Sequence, residues 1–244
     1  MNLAGLYEDI TGWLRESVLS SGGQGAVFGL SGGVDSALVA ALCKSAFGDN
    51  CLGLVMPCYG EEIEKEHALL VARKLDLPHK VINLDPVFEA MLFAVRGSGV
   101  AQIEKEPATS NIKPRLRMIV LYYFAARKGY RVIGTGNKDE IFTGYFTKYG
   151  DSGVDLEPIG DLLKEEVRKL ALYAGIPQEI VDKKPTAGLW AGQTDEEEMG
   201  FTYEQLDSYL KGSEVPSPVR EKIEWLNNYS EHKRQLPPIF QKKV

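Results

Sequence analysis

The sequence predicts an α/β fold, a doubly wound parallel sheet flanked by helices. Two observations indicate this class. Short apolar runs of strand length alternate with longer stretches of helical periodicity, and these stretches are long enough to connect parallel strands as crossovers. The predicted strands are Ala26–Leu30, Cys51–Met56, Lys80–Leu84 and Arg131–Thr135.

Apolar residues at helical spacing mark the helices of this pattern. An amphipathic helix at Leu3–Leu19 precedes the first strand, and strand signals fade from Ala187 onward. We therefore expect one domain over residues 1–244 that ends in a helical C-terminal extension. The crossover helices are predicted at Ser36–Ala46, Glu61–Leu75 and Asn111–Arg127, and surface helices at Asp195–Met199, Tyr203–Leu210 and Pro218–Asn228.

Length and composition narrow the class of protein. The 244 residues carry a net charge of −6 and 44% hydrophobic residues, which are ordinary values for a globular domain. The acidic balance argues against a general nucleic-acid surface, and the absence of a long apolar run or signal peptide argues against a membrane protein. Cys43, Cys51 and Cys58 have neither metal-type spacing nor an even number, so we expect a reduced, cytoplasmic location.

The segment Leu30–Ala37, which reads Leu-Ser-Gly-Gly-Val-Asp-Ser-Ala, follows the first predicted strand. Glycines between a strand and a helix let backbone N–H groups approach a ligand, and the helix adds its positive N-terminus. This combination is typical of a phosphate site, although the Gly-Lys-Ser/Thr of kinases and GTPases is missing. A plain glycine turn is the alternative, but the residues around the glycines favour a nucleotide-binding loop.

A second polar segment, Gly134–Glu140, directly follows the last predicted strand. Parallel strands place their carboxyl ends at one edge of the sheet, where ligands bind. Asp35 and Glu140 both lie at such ends, so together they suit the oxygen-ligand preference of Mg²⁺. Each alone also reads as an acid at a helix N-terminus, where it favours the macrodipole.

Three later segments carry weaker signals. Tyr145–Asp155 combines aromatic and charged residues that suit a flat heterocycle, and it also resembles an ordinary polar loop. Lys164 stands at a predicted helix start and by composition is a surface lysine. Gly192–Gly200 has the composition of a mobile lid, and a helix start capped by Thr194 or Asp195 fits it equally well.

Taken together and in this order, these segments resemble the ammonia-dependent NAD synthetases, within the ATP pyrophosphatase superfamily. The resemblance runs from about Leu3 to Lys233 and implies an adenine nucleotide alpha hydrolase-like fold. It rests on Ser31–Ser36, Asn111–Met118, Gly134–Glu140, Tyr145–Asp155, Pro158–Lys164, Lys184–Ala187 and Gly192–Gly200.

The resemblance implies a ligase that forms an amide bond. The nicotinate carboxylate of deamido-NAD attacks the α-phosphorus of ATP, supplied with Mg²⁺, and ammonia then displaces AMP to give NAD, AMP and pyrophosphate. The chain has no room for a glutaminase domain, so free ammonia is the expected nitrogen donor. A separate glutaminase subunit that supplies the ammonia is the alternative. A homodimer is expected.

The same resemblance assigns residues to the two substrates and the metal. Asp35, Glu140 and Lys164 are the expected catalytic residues, and Asp35 and Glu140 the expected magnesium ligands. The ATP contacts are expected at Leu30, Ser31, Gly32, Gly33, Val34, Asp35, Ser36, Ala37, Thr135, Lys164 and Thr186. The deamido-NAD contacts are expected at Arg115, Lys148, Asp155, His232 and Lys233, of which His232 would otherwise pass for a surface residue.

Two other readings compete with this one. The first is another ATP pyrophosphatase, such as a tRNA-modifying thiolase or a GMP-synthetase-like subunit. Cys58 alone points to thiol chemistry and is better explained as a small buried residue. The second is a nucleotide-binding sensor without activity, which would need neither the carboxylate pair nor a polar lid.

Overall fold

The computed structural model describes residues 2–97, 106–186, 188 and 194–242. Within these ranges the strands are β1 (Ala26–Gly29), β2 (Cys51–Val55), β3 (His79–Val81) and β4 (Arg131–Ile133). They form one parallel sheet in the order β3-β2-β1-β4. Val27 of β1 lies in register with Leu52 on one side and Val132 on the other, and the doubly wound α/β fold is confirmed.

The helices that the structure describes fall into three groups along the chain. Those around the first three strands are α1 (Leu3–Ser20), α2 (Val34–Phe47), α3 (Glu62–Lys74) and α4 (Asp85–Arg96). The middle group is α5 (Pro107–Ser110), α6 (Ile112–Lys128), α7 (Lys138–Thr143), α8 (Lys164–Tyr173) and α9 (Gln178–Val181). The C-terminal group is α10 (Asp195–Met199), α11 (Tyr203–Leu210), α12 (Ser217–Tyr229) and α13 (Glu231–Arg234).

Hydrophobic layers cover both faces of the sheet. Side chains alternate along a strand, so Ala26 and Phe28 of β1 join one layer while Val27 joins the other. The first layer is built mainly from α1, α2, α3, α8 and α9, and the second from α4 and α6. Because β1 and β2 are covered on both faces, their sequences are nearly continuous apolar runs, as the sequence analysis assumed.

The third strand differs from its prediction. It spans His79–Val81 rather than Lys80–Leu84, and all three of its residues are exposed at the edge of the sheet. Beyond it, Asn83 Oδ1 accepts a hydrogen bond from the backbone N–H of Asp85, where α4 begins. The sequence analysis missed α4 altogether.

The C-terminal extension is helical, as predicted, but its helices are not only surface helices. Helices α10, α11 and α12 enclose a small core of their own, packed beside α7. Its buried members are Met199, Phe201, Tyr203, Leu206 and Ile223. The extension therefore contributes a structured wall next to the end of β4.

Two further properties concern the chain as a whole. None of the described helices combines the length and the apolar character that crossing a bilayer requires. Cys43, Cys51 and Cys58 are all free thiols in buried positions. Burial raises the pKa of each of them, which agrees with the interpretation of Cys58 as a small buried residue.

Candidate active site

The loop after β1 is a compact turn stabilised by its own serines. The Ser36 hydroxyl donates to the Gly33 carbonyl at 2.9 Å and accepts from the Ser31 backbone N–H at 3.2 Å. The two hydroxyl oxygens are 3.0 Å apart. Gly33 is the N-cap of α2 and makes no side-chain cap hydrogen bond, so the first N–H groups of α2 face the ligand side of the turn.

Gly32 holds this loop against α3. Its φ of +83° lies in the left-handed region, and a Cβ there would be 2.4 Å from the backbone oxygen of Glu64. Because an L side chain fits neither this backbone conformation nor this gap, the loop requires glycine at this position. The site therefore includes the first turns of α3.

The end of β4 approaches the same loop through α7. Asn137 caps α7, since its Oδ1 accepts from the Glu140 N–H at 3.0 Å, and its Nδ2 donates to Asp35 Oδ1 at 2.9 Å. This amide joins the two strand ends directly. The sequence analysis did not single out Asn137, although an Asn before two acids is a recognisable helix cap.

Lys164, the first residue of α8, lies between the two predicted carboxylates. Its Nζ is 2.6 Å from Asp35 Oδ2 and 3.5 Å from Glu140 Oε1. The side chain is 2% exposed, so the reading of Lys164 as a surface lysine was wrong, while its place at a helix start is confirmed.

Electrostatics keep this lysine charged. Burial lowers the pKa of Lys164, but the negative charges of Asp35 and Glu140 raise it by more. The pKa therefore lies above the ordinary value of a lysine. Burial also raises the pKa of Glu140, against the opposing charge of Lys164. A cation paired with two carboxylates in a half-enclosed site is suited to receive anionic phosphate.

The residues present fit a magnesium ion delivered with a nucleotide. Asp35 and Glu140 supply hard carboxylate oxygens at the mouth of the phosphate loop, and Mg²⁺ is commonly held by one or two carboxylates plus substrate phosphates. In the part of the chain that the structure describes, no group of three or more metal-ligating side chains comes together. The donor set thus suits a metal shared with phosphates rather than a site built from protein ligands alone.

A cleft of about 480 Å³ opens above these residues. It runs from the phosphate loop past Leu54–Met56 to the loop after α7, and Arg117 forms part of its wall. Arg117 Nε donates to the Met56 carbonyl at 3.2 Å. Of the residues assigned to ATP, the lining includes Leu30, Ser31, Gly33, Val34, Asp35, Ser36, Thr135, Lys164 and Thr186.

Two of the assigned ATP residues have other positions. Gly32 faces α3, and Ala37 is fully buried in the core beneath the loop. Across the cleft, Lys183 Nζ is 2.5 Å from Glu64 Oε2 and ties the segment that carries Thr186 to α3. The sequence analysis missed this ion pair because its partners are far apart in the chain.

The residues assigned to deamido-NAD lie on an outer wall next to the cleft. Lys233 lines the cleft and donates to the carbonyls of Gly144 and Phe146 at 2.7 and 2.9 Å. Lys148 Nζ donates to the His232 carbonyl, and Arg115 Nη2 donates to the Lys148 carbonyl at 3.3 Å. Arg115, Lys148 and the pair His232–Lys233 therefore meet in space, although they are far apart in the sequence.

Both carboxylate oxygens of Asp155 accept hydrogen bonds from within the chain. Its Oδ2 accepts from the Val132 N–H at 2.8 Å and its Oδ1 accepts from the Tyr122 hydroxyl at 3.1 Å. The side chain therefore links β4 to α6 at the surface. Nothing in its sequence context indicated this backbone contact.

The aromatic loop contributes to the cleft, and part of the predicted lid forms α10. Tyr145, Phe146 and Thr147 line the cleft, as a heterocycle site would require. Within Gly192–Gly200, residues 192 and 193 lie outside the described residues, and Thr194 caps α10 by accepting from the Glu197 N–H. The helix-start alternative is therefore confirmed for residues 194–200.

The start of α8 is surrounded by buried carboxylates. Asp139 Oδ2 accepts from the Lys164 backbone N–H at 2.8 Å, and Asp207 Oδ2 accepts from the Glu165 N–H at 3.2 Å. Burial raises the pKa of Asp139 above its ordinary range, and the neighbouring Asp207 raises it further. These acids gave no signal in the sequence, because each by itself reads as a helix surface residue.

Comparison with known proteins agrees with this geometry. A family model described as NAD synthase matches residues 6–237. The NH(3)-dependent NAD(+) synthetase of Finegoldia magna is 47% identical over 241 residues, which cover 99% of this chain and 98% of that protein.

Two solved structures are also similar. The NMN synthetase of Francisella tularensis has a TM-score of 0.93 and 36% identity, covering 99% of this chain and 100% of its own. The NH3-dependent NAD synthetase of Campylobacter jejuni has a TM-score of 0.79 and 31% identity over the same shares. On the family match and the identity to the Finegoldia magna protein, the chain belongs to the NAD synthase family.

Proposed function

We propose that this chain, an ammonia-dependent NAD synthetase by its relatives, amidates deamido-NAD in two steps at the described cleft. The supporting observation is Lys164, whose ammonium lies between the carboxylates of two strand ends next to a phosphate loop. A non-catalytic sensor would have no use for this arrangement. A tRNA-directed enzyme is disfavoured because the chain is acidic.

In the first step, the nicotinate carboxylate attacks the α-phosphorus of ATP and pyrophosphate leaves. The N–H groups at the start of α2 and the hydroxyls of Ser31 and Ser36 bind the leaving phosphates, while Lys164 neutralises charge that develops on them. A carboxylate is a weak nucleophile toward a polyanion. The catalytic gain therefore comes from positioning and charge neutralisation.

We assign Asp35 and Glu140 as the residues that hold Mg²⁺. When bound, the ion neutralises charge between the phosphate groups of ATP. Asp35 is fixed for this task by the amide of Asn137, and Glu140 by the first turn of α7. Lys164 contacts both carboxylates, and its charge opposes the rise in the pKa of Glu140 that burial causes.

In the second step, ammonia attacks the acyl carbon of the adenylate, the bond to AMP breaks, and a proton is lost from nitrogen to give the amide. The dinucleotide is held at the outer wall of the cleft. We assign that contact to Arg115, Lys148, Asp155, His232 and Lys233. Thr135 and Thr186 are assigned to ATP with the phosphate loop.

Product analysis by HPLC tests this function directly. The assay contains ATP, Mg²⁺ and deamido-NAD, with either ammonium or glutamine as nitrogen donor. We expect NAD and AMP in equal amounts with ammonium. Product from glutamine would reveal a glutaminase acting with the chain, and folded protein that yields neither NAD nor AMP would contradict the proposal.

A second candidate substrate is nicotinate mononucleotide. The NMN synthetase of Francisella tularensis matches this chain with a TM-score of 0.93, against 0.79 for the Campylobacter jejuni NAD synthetase. A mononucleotide would occupy the cleft without needing the outer wall. The same assay decides between them: kcat/KM for deamido-NAD should exceed that for the mononucleotide, and the reverse order would make the chain an NMN synthetase.

We also propose a homodimer in the cytoplasm. Helix α4 presents Val87, Met91 and Val95 to solvent at i, i+4 and i+8, and α6 presents Ile119 and Tyr123 one turn apart. An apolar face of this kind typically marks a protein interface. The free, buried thiols support a reducing compartment.

A further inference from the structure

The N-terminus of α8 is capped in an unusual way. The first N–H groups of a helix normally bond to the side chain of the residue just before it. Here that residue is Leu163, which makes no such bond. The N–H groups of Lys164 and Glu165 are instead satisfied by Asp139 of α7 and Asp207 of α11, at 2.8 and 3.2 Å.

Both capping carboxylates are buried. Asp139 is fully inaccessible and Asp207 is 5% exposed. The two carboxyl groups also lie close enough to interact with each other, which adds to the raised pKa of Asp139. Burying a carboxylate in this way costs stability, and an uncharged cap would hold the helix as well. The arrangement therefore indicates a task beyond ending a helix.

Helix α11 also contacts the side chain of Lys164. The ammonium lies 4.8 Å from the centroid of the Tyr203 ring, a distance at which a cation is attracted by an aromatic face. The Tyr203 hydroxyl in turn donates to Asp195 at 3.1 Å. Tyr203 and Asp207 are four residues apart and so share one face of α11.

We infer that Asp139, Tyr203 and Asp207 are positioning residues that set the Lys164 ammonium between Asp35 and Glu140. The two acids fix the backbone from which the lysine projects, and the tyrosine ring supports its charged end. Asp139 is adjacent to Glu140 in α7, so one short helix fixes the lysine backbone and one of its carboxylate partners together. The C-terminal extension is thereby part of the reaction centre.

This inference depends on the catalytic role proposed for Lys164. A displacement of about 1 Å in a charged group can lower a rate by about 100-fold. Loss of a positioning contact should therefore reduce kcat and leave the KM for deamido-NAD little changed, since the dinucleotide binds at the outer wall. A purely structural contact would lower the melting temperature without this split.

The experiment compares truncating and conservative variants in steady-state kinetics with melting temperatures. Asp207→Ala, Asp139→Ala and Tyr203→Leu should each lower kcat by roughly 10-fold to 100-fold. Asp207→Asn and Asp139→Asn keep an acceptor oxygen, and Tyr203→Phe keeps the ring, so these should recover most of kcat. Equal losses in the truncating and conservative variants would overturn the inference.

Two controls separate positioning from stability. Ile223→Val weakens the core that α11 and α12 share without touching Lys164, and Asn2→Ala removes the side-chain cap of α1. Both should lower the melting temperature and keep kcat. A fall in kcat for Ile223→Val as large as that for Asp207→Ala would show a structural role only. If Asp207→Ala does not fold, the Tyr203→Leu and Tyr203→Phe pair gives the same decision.

Lys164→Met separates the catalytic role proposed for Lys164 from the positioning role inferred for its neighbours. If Lys164→Met keeps normal turnover, the catalytic role proposed for the lysine fails. If Lys164→Met is inactive while folded Tyr203→Leu and Asp207→Ala turn over normally, the catalytic role stands and the positioning inference fails.

Discussion

The buried ammonium of Lys164 exists only because carboxylates surround it. Removing a charge from water costs several kcal/mol, and a partly buried ion pair offsets this cost only with good geometry. Asp35 meets that requirement with an Nζ–Oδ2 distance of 2.6 Å and a second bond from Asn137. Since apolar residues would stabilise the fold at least as well, the charges are better explained by chemistry than by stability.

Asp35→Ala should therefore abolish adenylation in a folded protein. The change removes a proposed magnesium ligand and leaves Lys164 with Glu140 alone, so we expect AMP formation to fall by at least about 100-fold. The free energy of unfolding should fall by about 3–5 kcal/mol, because the buried Lys164 ammonium loses its nearest partner. AMP release measured by HPLC and circular dichroism of the same sample check both values.

Asp49→Ala is the matched control for this variant. Asp49 pairs with Lys44 at 2.8 Å, but its side chain is 87% exposed. An exposed pair contributes only about 0–1 kcal/mol, so the control should lose little stability and no activity. Near-normal turnover of folded Asp35→Ala would remove Asp35 from the proposed mechanism.

Glu157 is a second carboxyl that the fold holds away from water. Its Oε2 accepts from the Gly136 N–H at 3.1 Å, and it lies so close to Gly134 that a Cβ there would be 2.2 Å from the carboxyl. Burial raises the pKa of Glu157 to about 8, although the Gly136 hydrogen bond opposes this. The side chain is thus expected to carry a proton near neutral pH.

This environment predicts a pH-dependent stability. The folded-state pKa is above the ordinary value of 4.5, so the folded protein binds more protons and its free energy of unfolding falls as pH rises from about 4.5 to about 8. Glu157→Gln mimics the protonated form and removes this contribution. Between pH ~6 and pH ~8, wild type should lose about 2 kcal/mol relative to Glu157→Gln in urea unfolding. A constant difference across this range would contradict the raised pKa.

At the scale of elements, the sequence predicted what local patterns determine. The strand and helix order, the phosphate loop and the start of α8 at Lys164 follow from apolar periodicity and glycine placement. Helix α4 was missed although Phe88 and Leu92 give it a buried face, because the preceding strand was predicted to continue to Leu84 and the helix start at Asp85 was not recognised. The burial of Lys164 was missed because Asp35 and Tyr203, which make it possible, are far away in the chain.

The junction between the phosphate loop and α3 is the element whose geometry is most restrictive. Gly32 combines a φ of +83° with a gap of 2.4 Å to the Glu64 oxygen. Neighbouring Gly33 has a φ of −90°, and a Cβ on it would meet only the Ser31 hydroxyl at 3.5 Å. Two adjacent glycines thus have different structural requirements.

Gly32→Ala should destabilise the protein by about 2–4 kcal/mol, because strained φ and overpacking against backbone add. Gly33→Ala is the control and should change the free energy of unfolding by less than about 1 kcal/mol. Urea unfolding without nucleotide measures both. Equal stabilities of the two variants would show that the loop does not depend on close contact with α3.

At the scale of the whole molecule, the proposed dinucleotide wall adjoins the exposed apolar face. Arg115 and Ile119 lie one turn apart on α6, and Tyr122 of the same helix donates to Asp155 at 3.1 Å. The residues assigned to deamido-NAD therefore flank the surface through which a second copy would pack. ATP, in contrast, is assigned to residues inside the cleft of one chain.

This arrangement predicts that a substitution that disrupts the dimer also weakens the binding of deamido-NAD. Ile119→Glu places a charge in the apolar face, so sedimentation velocity should show monomers where wild type shows dimers. The KM for deamido-NAD should rise by about 10-fold or more, with a smaller change in the KM for ATP, because only the outer wall loses its neighbour. Trp225→Glu on α12 is the matched control, since Trp225 and Ile119 are both 57% exposed and only Ile119 belongs to the proposed interface. A monomeric wild type, or a monomeric Ile119→Glu with unchanged KM for deamido-NAD, would separate the substrate wall from the interface.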